Sequence, residues 1–354
     1  MKLQTKPFRD VVANLYKVAS KNGIVPIISN ILIEGNGKQI RFVTTNLKHT
    51  IMATVESSKE IVACVDAVKL NNILNAITTD EFDLTVKGLV ATIKSGKDKW
   101  QLSMFDRNEF PIVHDTDFIS YIQLTKDEVV RIKQLLPFAS NDETQYHMVS
   151  VSFKTIGGIT YIASWDKPSA AILIKELGLG DGNCLIPSNA IKELIECDWS
   201  FGYNTTNAVF TTDIDGVNYK YICQLIDHEY PPIKNLFIDT PKNVFSVNKK
   251  QMFDAVKKIE IVSDKYDSFN LSFEGDEIIL SATTTEGIES STSIPYKKIK
   301  DVEPFSFNRD LMKKCLSFCL YDDVVIQSNS PETVHFVYCL ENDKERSLFM
   351  PLKF

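Results

Sequence analysis

Several kinds of sequence signal are scarce or missing in these 354 residues. The seven cysteines are odd in number and scattered, and no two have CxxC spacing, which excludes a disulfide framework or a zinc ribbon. No window approaches the roughly 18 consecutive apolar residues of a membrane helix, and residues 1–20 lack the apolar run of a signal peptide. We therefore expect an intracellular, cytoplasmic protein with no membrane partner.

Motifs of catalytic chemistry are also scarce. The five histidines stand far apart without an HExxH pattern, and no GxSxG elbow is present to seat a serine nucleophile. The strongest enzyme-like feature is Tyr321-Asp322-Asp323, whose two carboxylates could hold metal ions for DNA processing. The favoured interpretation is a turn between a helix and a strand. We accordingly expect no enzymatic activity and no cofactor or metal.

What the sequence does contain is a unit repeated three times. The stretch TKPFRDVVANLYKVASK from Thr5 aligns without a gap on the segments that begin at Thr125 and Asn248, at offsets of 120 and 123. Apolar residues recur there near helical spacing, and Thr5, Thr125 and Asn248 can each act as an N-cap. The repeat constrains the architecture more strongly than any local propensity does. Each unit is thus predicted to open with a helix.

The rest of each unit follows the same order. Residues 30–46, 149–165 and 269–285 alternate, turn at glycine-containing segments and alternate again, which predicts hairpins. A second helix is predicted over 65–74, 186–195 and 307–316, with Asp66, Ser188 and Asn308 as caps near its start. The sequence predicts an α+β fold of three tandem domains, each built as helix, strands, helix, strands. Their predicted bounds are 1–117, 118–240 and 241–354.

Positive charge is concentrated in the predicted helices. The net charge of the chain is −7, yet the six helical segments hold 16 basic and 9 acidic residues, which leaves −14 on the remainder. One interpretation is that Lys and Arg are simply good helix formers on solvated faces. The other is a polyanion-facing surface that contacts phosphates without reading sequence. The cations in question are Lys6, Arg9, Lys17, Lys21, Lys126, Arg131, Lys133, Lys249, Lys250, Lys257, Lys313 and Lys314.

Over its whole length the chain resembles the bacterial-type β sliding clamp, the β subunit of DNA polymerase III. The signs are PIISN at Pro26 to Asn30, the paired Phe110-Pro111 and Tyr230-Pro231, the Phe307-Asn308 helix start and the closing LFMPLKF. The resemblance implies a head-to-tail homodimeric ring of clamp domains, with helices lining the hole and sheets outside. It implies a processivity factor that encircles duplex DNA without sequence specificity.

The resemblance also implies partners and a pocket for them. In the family, the replicative polymerase and the clamp loader dock short apolar motifs into one site. The matching positions here are Met148, Ser164, Pro231, Leu236, Leu348, Met350, Pro351 and Leu352. A methionine-rich lining suits several partners, whereas a final strand packed in its sheet is the alternative. The family's Thr-Asp-Gly-His-Arg-Leu segment aligns with Ser164 to Ser169, where only the first residue matches closely. This departure predicts a divergent clamp of phage or mobile-element origin.

Two smaller sites complete the implied set. Gln145, Tyr146 and His147 match a loop that approaches DNA in the family, although they could equally fill a turn. Ile261 and Val262 match apolar residues of the ring-closing dimer interface, although they could equally be core. Two other functions stay open at this point: a metal-dependent DNA-processing enzyme that uses Asp322 and Asp323, and a clamp-fold scaffold that no longer binds DNA.

Overall fold

The computed structural model of the protein describes residues 1–19, 25–111, 121–236, 241–262, 269–284 and 286–352. The α-helices are α1 (Thr5–Leu15), α2 (Ala67–Ala76), α3 (Lys126–Lys133), α4 (Ser188–Glu193), α5 (Lys249–Ile259) and α6 (Arg309–Phe318). Short 3-10 helices span Pro26–Ser29, Arg107–Glu109, Leu136–Phe138, Glu143–Met148, Ile233–Leu236 and Glu260–Val262.

Strands make up most of the regular structure. They are β1 (Lys2–Gln4), β2 (Asn30–Asn36), β3 (Gln39–Thr45), β4 (His49–Glu56), β5 (Glu60–Asp66), β6 (Glu81–Lys87), β7 (Val90–Ser95), β8 (Asp98–Ser103), β9 (Ile122–Leu124), β10 (Ser150–Ile156), β11 (Ile159–Trp165), β12 (Ser169–Lys175), β13 (Gly182–Pro187), β14 (Trp199–Tyr203), β15 (Asn207–Ile214), β16 (Val217–Gln224), β17 (Asn243–Asn248), β18 (Phe269–Glu274), β19 (Glu277–Thr283), β20 (Glu289–Pro295), β21 (Lys297–Lys298), β22 (Phe305–Phe307), β23 (Asp323–Ser328), β24 (His335–Cys339) and β25 (Asn342–Phe349).

The chain forms two compact units. The first contains Met1–Val130 and Asn189–Leu225, and the second contains Arg131–Ser188 and Ile226–Phe354. The predicted middle domain therefore contributes residues to both units. The reason is that hydrogen-bonded sheets continue through the predicted junctions. The bounds at 117 and 240 stay a prediction.

In the first unit, the antiparallel meanders β2-β3-β4 and β14-β15-β16 join into one eight-stranded sheet. Its strand order is β5-β2-β3-β4-β16-β15-β14-β9. The joint is the pairing of β4 with β16, which runs from His49 opposite Cys223 to Val55 opposite Val217. A separate four-stranded sheet has the order β1-β6-β7-β8. A core cluster that includes Leu32, Val43 and Val209 draws residues from both meanders, so apolar packing supports the joint.

The second unit repeats this arrangement. Its nine-stranded sheet has the order β13-β10-β11-β12-β25-β24-β23-β17-β21, and its four-stranded sheet has the order β20-β19-β18-β22. The joint is the pairing of β12 with β25, from Ser169 opposite Phe349 to Leu173 opposite Glu345. Ala170, Phe336 and Leu348 are fully buried together at this joint.

The predicted helices and hairpins are confirmed, and most of the predicted caps are as well. The Asn248, Asp66 and Asn308 side chains accept hydrogen bonds from backbone N–H groups of the following first turn. The hydroxyl of Thr125 accepts from Glu128 N, while the Glu128 carboxylate accepts from Thr125 N, which is a capping box. Helix α3 ends early because Pro137 has no N–H to donate to the carbonyl of Lys133.

Two predicted caps are wrong. Thr5 is the first helical residue of α1, after Gln4, and Ser188 is likewise the first residue of α4. Both hydroxyls are buried without a hydrogen-bond partner. In the first repeat the tertiary contact of Thr5 N with the carbonyl of Asp80, at 2.8 Å, takes the place of a local cap.

The assignment of helix caps can be tested in the second unit by comparing Asn308, which is a cap, with Ser188, which is not. Asn308→Ala should lower the free energy of unfolding by about 1 kcal/mol, because the side chain accepts from Asp310 N and Leu311 N. Ser188→Ala should cost nothing or stabilise slightly, since it removes an unpaired buried hydroxyl. Urea unfolding of the two variants beside the wild type measures both values. Equal destabilisation of the two variants would contradict this assignment of caps.

Candidate nucleic-acid interface and peptide pocket

The opening helices of the three repeats start from similar anchors, in which a backbone N–H donates to an Asp oxygen, a carbonyl in two repeats and a carboxylate in the other. Within the first unit, Thr5 N donates to Asp80 O at 2.8 Å and Lys126 N donates to Asp198 Oδ1 at 2.6 Å. Within the second unit, Lys249 N donates to Asp322 O at 2.7 Å. In each case the acceptor belongs to the turn after the second helix of the same repeat. This turn therefore fixes where each opening helix begins.

Five of the predicted DNA-facing cations are exposed to solvent, namely Lys6, Lys17, Lys126, Lys250 and Lys257. Lys6 lies 3.3 Å from Asp10 and Lys250 lies 2.6 Å from Asp254, each one helical turn away. Exposed pairs of this kind contribute little to stability and are screened by salt. The ammonium groups of Lys6 and Lys250 can therefore leave these carboxylates and bind phosphate oxygens instead.

The side chains of Arg9 and Lys249 instead bind carbonyl groups at the C-terminal ends of helices. The Arg9 guanidinium donates to the carbonyls of Leu74 and Ile77, at 2.8 and 2.6 Å, at the end of α2. The Lys249 ammonium donates to the carbonyls of Cys319 and Leu320, at 3.1 and 3.4 Å, at the end of α6. Cations at a helix C-terminus satisfy its last carbonyls and complement its dipole. Both side chains are thus engaged in the repeat itself.

Arg131 lies inside the protein. Its side chain is only 8% exposed, and its guanidinium is 2.6 Å from the carboxylate of Glu345, which is equally buried. It also donates to the carbonyl of Phe318 at 3.1 Å and lies over the Phe318 ring. A guanidinium fixed in this way cannot reach a phosphate, so the prediction that Arg131 contacts DNA does not fit its position.

Lys313 and Lys314 are half-buried and paired. The Lys313 ammonium is 2.7 Å from Glu260, and the Lys314 ammonium lies 2.8 Å from Asp166 and 2.6 Å from the Ser169 hydroxyl. Lys314 therefore holds the turn between β11 and β12, which belongs to the predicted peptide pocket. Of the remaining predicted cations, Lys133 is half-buried and Lys21 lies outside the described residues.

The predicted DNA-approaching loop forms an aromatic cluster that includes His228, a residue outside the predicted set. The rings of His147 and His228 stack with their centroids 4.2 Å apart. The rings of Tyr146 and His228 form a T-shaped pair with their centroids 5.6 Å apart. Partial burial and the neighbouring His228 lower the pKa of His147, so this ring is mainly neutral near pH 7. Gln145 instead donates to the carboxylate of Asp142 at 3.2 Å. Tyr146, 51% exposed, presents its ring to solvent.

The predicted pocket residues divide by depth. Met148, Ser164 and Leu348 are buried, and the Ser164 hydroxyl donates to the carbonyl of Ser150 at 3.2 Å. Pro231, Pro351 and Leu352 are half-buried, whereas Met350 is 40% exposed. Leu236 closes a 3-10 helix, and its side chain lies outside the described residues. Three of the predicted pocket residues are therefore enclosed, and Pro231, Met350, Pro351 and Leu352 are at least partly accessible to solvent.

The C-terminal segment around Met350 and Leu352 is held in place by backbone hydrogen bonds. Met350 N donates to the carbonyl of Pro168 at 2.8 Å, and Leu352 N donates to the carbonyl of Ser306 at 3.0 Å. Two aromatic residues that were not predicted as lining, Trp165 and Tyr230, pack here beside Ile233. Trp165 aligns with a small polar residue of the family segment. Its indole N–H donates to the carbonyl of Lys167 at 3.1 Å.

Ile261 is 80% exposed, so it is not a core residue. It follows α5, which packs on β20, the outer strand of its four-stranded sheet. Val262 lies in the same short 3-10 helix, but its side chain is outside the described residues.

The residues proposed for metal-dependent chemistry do not form a site. Asp322 and Asp323 lie where α6 gives way to β23, as the turn interpretation predicted, and the Asp322 carbonyl is used to anchor Lys249. Within the described ranges, no group of three or more His, Cys, Asp or Glu residues could hold a metal ion. No helix in the described part of the chain is long and apolar enough to cross a membrane.

Comparison with known proteins points to one family. The family described as DNA polymerase III beta subunit, N-terminal domain, matches residues 1–114. The beta sliding clamp of Chlamydia pneumoniae is 20% identical over 313 residues, which cover 84% of each chain. That of Pseudomonas aeruginosa is 20% identical over 359 residues, which cover 95% of each chain. The chain is therefore similar over most of its length to proteins named beta sliding clamps, and its residues 1–114 match the N-terminal domain family of the DNA polymerase III beta subunit.

Solved structures show the same fold over the whole chain. The sliding clamp of Bacillus subtilis is 18% identical with a TM-score of 0.90, and the match covers 100% of this chain and 98% of that one. The clamp of Pseudomonas aeruginosa bound to griselimycin has a TM-score of 0.92 at 16% identity, with coverage of 100% and 99%. The predicted α+β fold of tandem clamp domains is thereby confirmed. The phage or mobile-element origin stays a prediction.

The buried position of Arg131 gives a testable contrast. Arg131→Ala should lower the free energy of unfolding by about 3 kcal/mol, the low end for breaking a buried ion pair, because Lys175, 3.4 Å from the Glu345 carboxylate, still compensates part of its charge. Lys126→Ala, a neighbour on the same helix whose side chain is exposed, should change it by less than about 0.5 kcal/mol. Chemical unfolding measures both. A near-neutral Arg131→Ala would show that the guanidinium is not structural.

Proposed function

We propose that this protein is a non-catalytic DNA sliding clamp, a processivity factor that encircles duplex DNA and tethers a replicative polymerase. The observation that carries the proposal is the clamp fold over the entire chain, together with relatives named as beta sliding clamps over 84 to 95% of its length. The enzyme alternative is not favoured, because Asp322 and Asp323 are part of a turn whose backbone anchors α5.

Exposed ammonium groups on the opening helices are proposed to face the DNA. Lys6 and Lys17 lie on or directly after α1, Lys126 on α3, and Lys250 and Lys257 on α5, so every repeat contributes. Flexible ammonium groups contact phosphates without reading bases, which suits a protein that must slide. The −14 charge outside the helices repels the duplex from other surfaces. Tyr146 and His147 are proposed to add contacts at one loop.

The function is tested by retention on circular DNA. Protein placed on nicked circular plasmid should stay bound at a salt concentration that removes direct electrostatic binding, and linearising the plasmid should release it. The cause is that topology, rather than affinity, retains a closed ring. Gel filtration of labelled protein with each plasmid form measures the difference. Equal release from both forms would favour a clamp-fold scaffold that no longer holds DNA.

The lysines are tested separately from the ring. The triple variant Lys6→Ala, Lys126→Ala, Lys257→Ala should weaken direct binding to a linear duplex. It should also reduce the slope of log K against log salt by about 0.9 for each phosphate that no longer has a lysine partner. A triple Lys→Ala variant on strands, at Lys87, Lys94 and Lys154, has the same net charge and serves as the control. An equal change in both variants would show that net charge, rather than the helix surface, governs binding.

A homodimer is proposed from the edges of the sheets. Both long sheets arise where the last strand of one meander pairs with the last strand of another, β4 with β16 and β12 with β25. Two meanders remain, and they end in β8 and β20. Within the described residues, neither strand has a partner on its outer edge. Free edges are normally covered, so pairing of β8 with β20 of a second copy would close two further joints by symmetry.

Ile261 provides the test of this dimer. It lies at the end of the helix that packs on β20, and its 80% exposure leaves an apolar side chain for a partner to cover. Wild type should show twice 40.1 kDa in light scattering. Ile261→Asp should shift the mass towards 40.1 kDa without loss of folded structure by circular dichroism. Ile156→Asp, at a site 50% exposed in a different sheet, should leave the mass unchanged.

Partner proteins are proposed to dock at the surface formed by Met350, Pro351 and Pro231, beside Trp165 and Tyr230. A short apolar segment of a polymerase or a clamp loader fits the chemistry of this surface. Methionine can repack around different anchors, which allows one site to serve several partners. The Lys314 contacts with Asp166 and Ser169 keep the adjoining turn in position for them.

A further inference from the structure

Two cysteines in the second unit lie outside every site described so far. Cys319 follows the last residue of α6, and Cys339 is the last residue of β24, opposite Val324 of β23. Their side chains are hydrogen-bonded to each other. The turn from Cys319 to Asp322 crosses the end of β24, so residues twenty positions apart in sequence meet at one place.

The surroundings of Cys339 are built to hold a negative sulfur. Tyr321 N points at the Cys339 Sγ at 3.4 Å, and the backbone N–H of Leu320 also bonds to it. Successive backbone N–H groups directed at one atom form an anion-binding nest. The Lys249 ammonium, which bonds the carbonyls of Cys319 and Leu320, adds positive charge nearby.

The two thiols differ in the direction of their pKa shifts. The hydrogen bond from Cys319 is the main cause that lowers the pKa of Cys339; burial opposes it, and the backbone N–H groups of Tyr321 and Leu320 add to it. The same hydrogen bond, together with burial, raises the pKa of Cys319. Burial raises the pKa of the other buried thiols Cys64, Cys223 and Cys315 to about 12. Cys339 is therefore distinguished from these three thiols by the lowered direction of its pKa, which favours the thiolate form.

We propose that Cys339 and Cys319 form a redox modification site, in which Cys339 is the nucleophile for peroxide and Cys319 is the resolving thiol. The Cys339 thiolate attacks one oxygen of hydrogen peroxide, an S–O bond forms, the O–O bond breaks, and hydroxide leaves. The resulting sulfenic acid is attacked by the Cys319 sulfur, which loses its proton. The S–S bond forms as the S–O bond breaks, and water leaves.

Access to the pair is through the turn that covers it. Cys339 is 4% exposed, but Leu320 and Tyr321 of the covering turn are 48% and 46% exposed. Both thiols are buried, so peroxide reaches them when this turn, which Lys249 holds through two carbonyls, opens locally. The Lys249 bonds to this turn also link the pair to the start of α5, which is part of the proposed DNA-facing surface.

Mass spectrometry of the full-length protein tests the proposal. After brief peroxide treatment and blocking of free thiols, a non-reducing digest should contain a peptide pair joined through Cys319 and Cys339, lighter by two hydrogens. In Cys319→Ser, dimedone should trap a sulfenic acid on Cys339. In Cys339→Ser, neither product should form, and Cys223→Ser should behave as wild type. Circular dichroism checks that each variant is folded.

A labelling rate measured without any variant provides a second readout. In wild type at pH 7, iodoacetamide should modify Cys339 at least about ten-fold faster than Cys223, and the difference should shrink in urea, where the nest unfolds. Failure to find the joined peptide while Cys339 stays unmodified would overturn the proposal. A disulfide between Cys315 and Cys319 would overturn the assignment of Cys339 as the nucleophile.

Discussion

Edge-to-edge backbone pairing between the last strands of two meanders is the interaction on which the rest of the fold depends. The β4–β16 joint aligns seven residue pairs and the β12–β25 joint aligns five. The first joint unites two four-stranded parts and the second unites a four-stranded part with a five-stranded part, and each resulting sheet is continuous with a shared core. The helices then have a fixed surface to pack on, and the turns that follow them can anchor the opening helices. Loss of either joint would expose both a sheet edge and a core face at once.

The basic side chains of this protein form two groups, those that stabilise the fold and those that remain exposed at the surface. Composition alone does not distinguish the two groups. Arg9 and Lys249 close helix C-termini, Arg131 neutralises a buried carboxylate, and Lys314 holds the β11–β12 turn. Lys6, Lys126 and Lys257 remain at the surface. The excess of +7 over the helices is therefore an upper bound on the charge that any polyanion could meet. A smaller set of mobile ammonium groups is nevertheless sufficient where topology, rather than affinity, retains the partner.

The sequence predicted those features whose signal is local or repeated. Hairpins, helix positions and the caps at Asp66, Asn248 and Asn308 depend on neighbours within a few residues, so the repeat revealed them. The orientation of Arg131 depends on Glu345, 214 residues away, and that of Arg9 depends on carbonyls 65 and 68 residues away. No spacing rule connects such pairs. For the same reason the stacking of His147 on His228 and the meeting of Cys319 with Cys339 were not predictable.

The two four-stranded sheets carry the strongest constraint on assembly. Every other meander in the described chain ends by pairing with another meander, so β8 and β20 are the exceptions to a rule the protein otherwise follows. From Lys99 to Ser103 in β8 and throughout β20, exposed residues alternate with partly or fully buried ones, as expected for strands with one covered face. Polar side chains on β20 blunt its edge against random pairing, since four of its seven residues are Ser or Thr. In the proposed dimer the partner of such an edge is selected by register and by apolar contacts beside the strand, and the exposed Ile261 is the residue proposed to supply one of them.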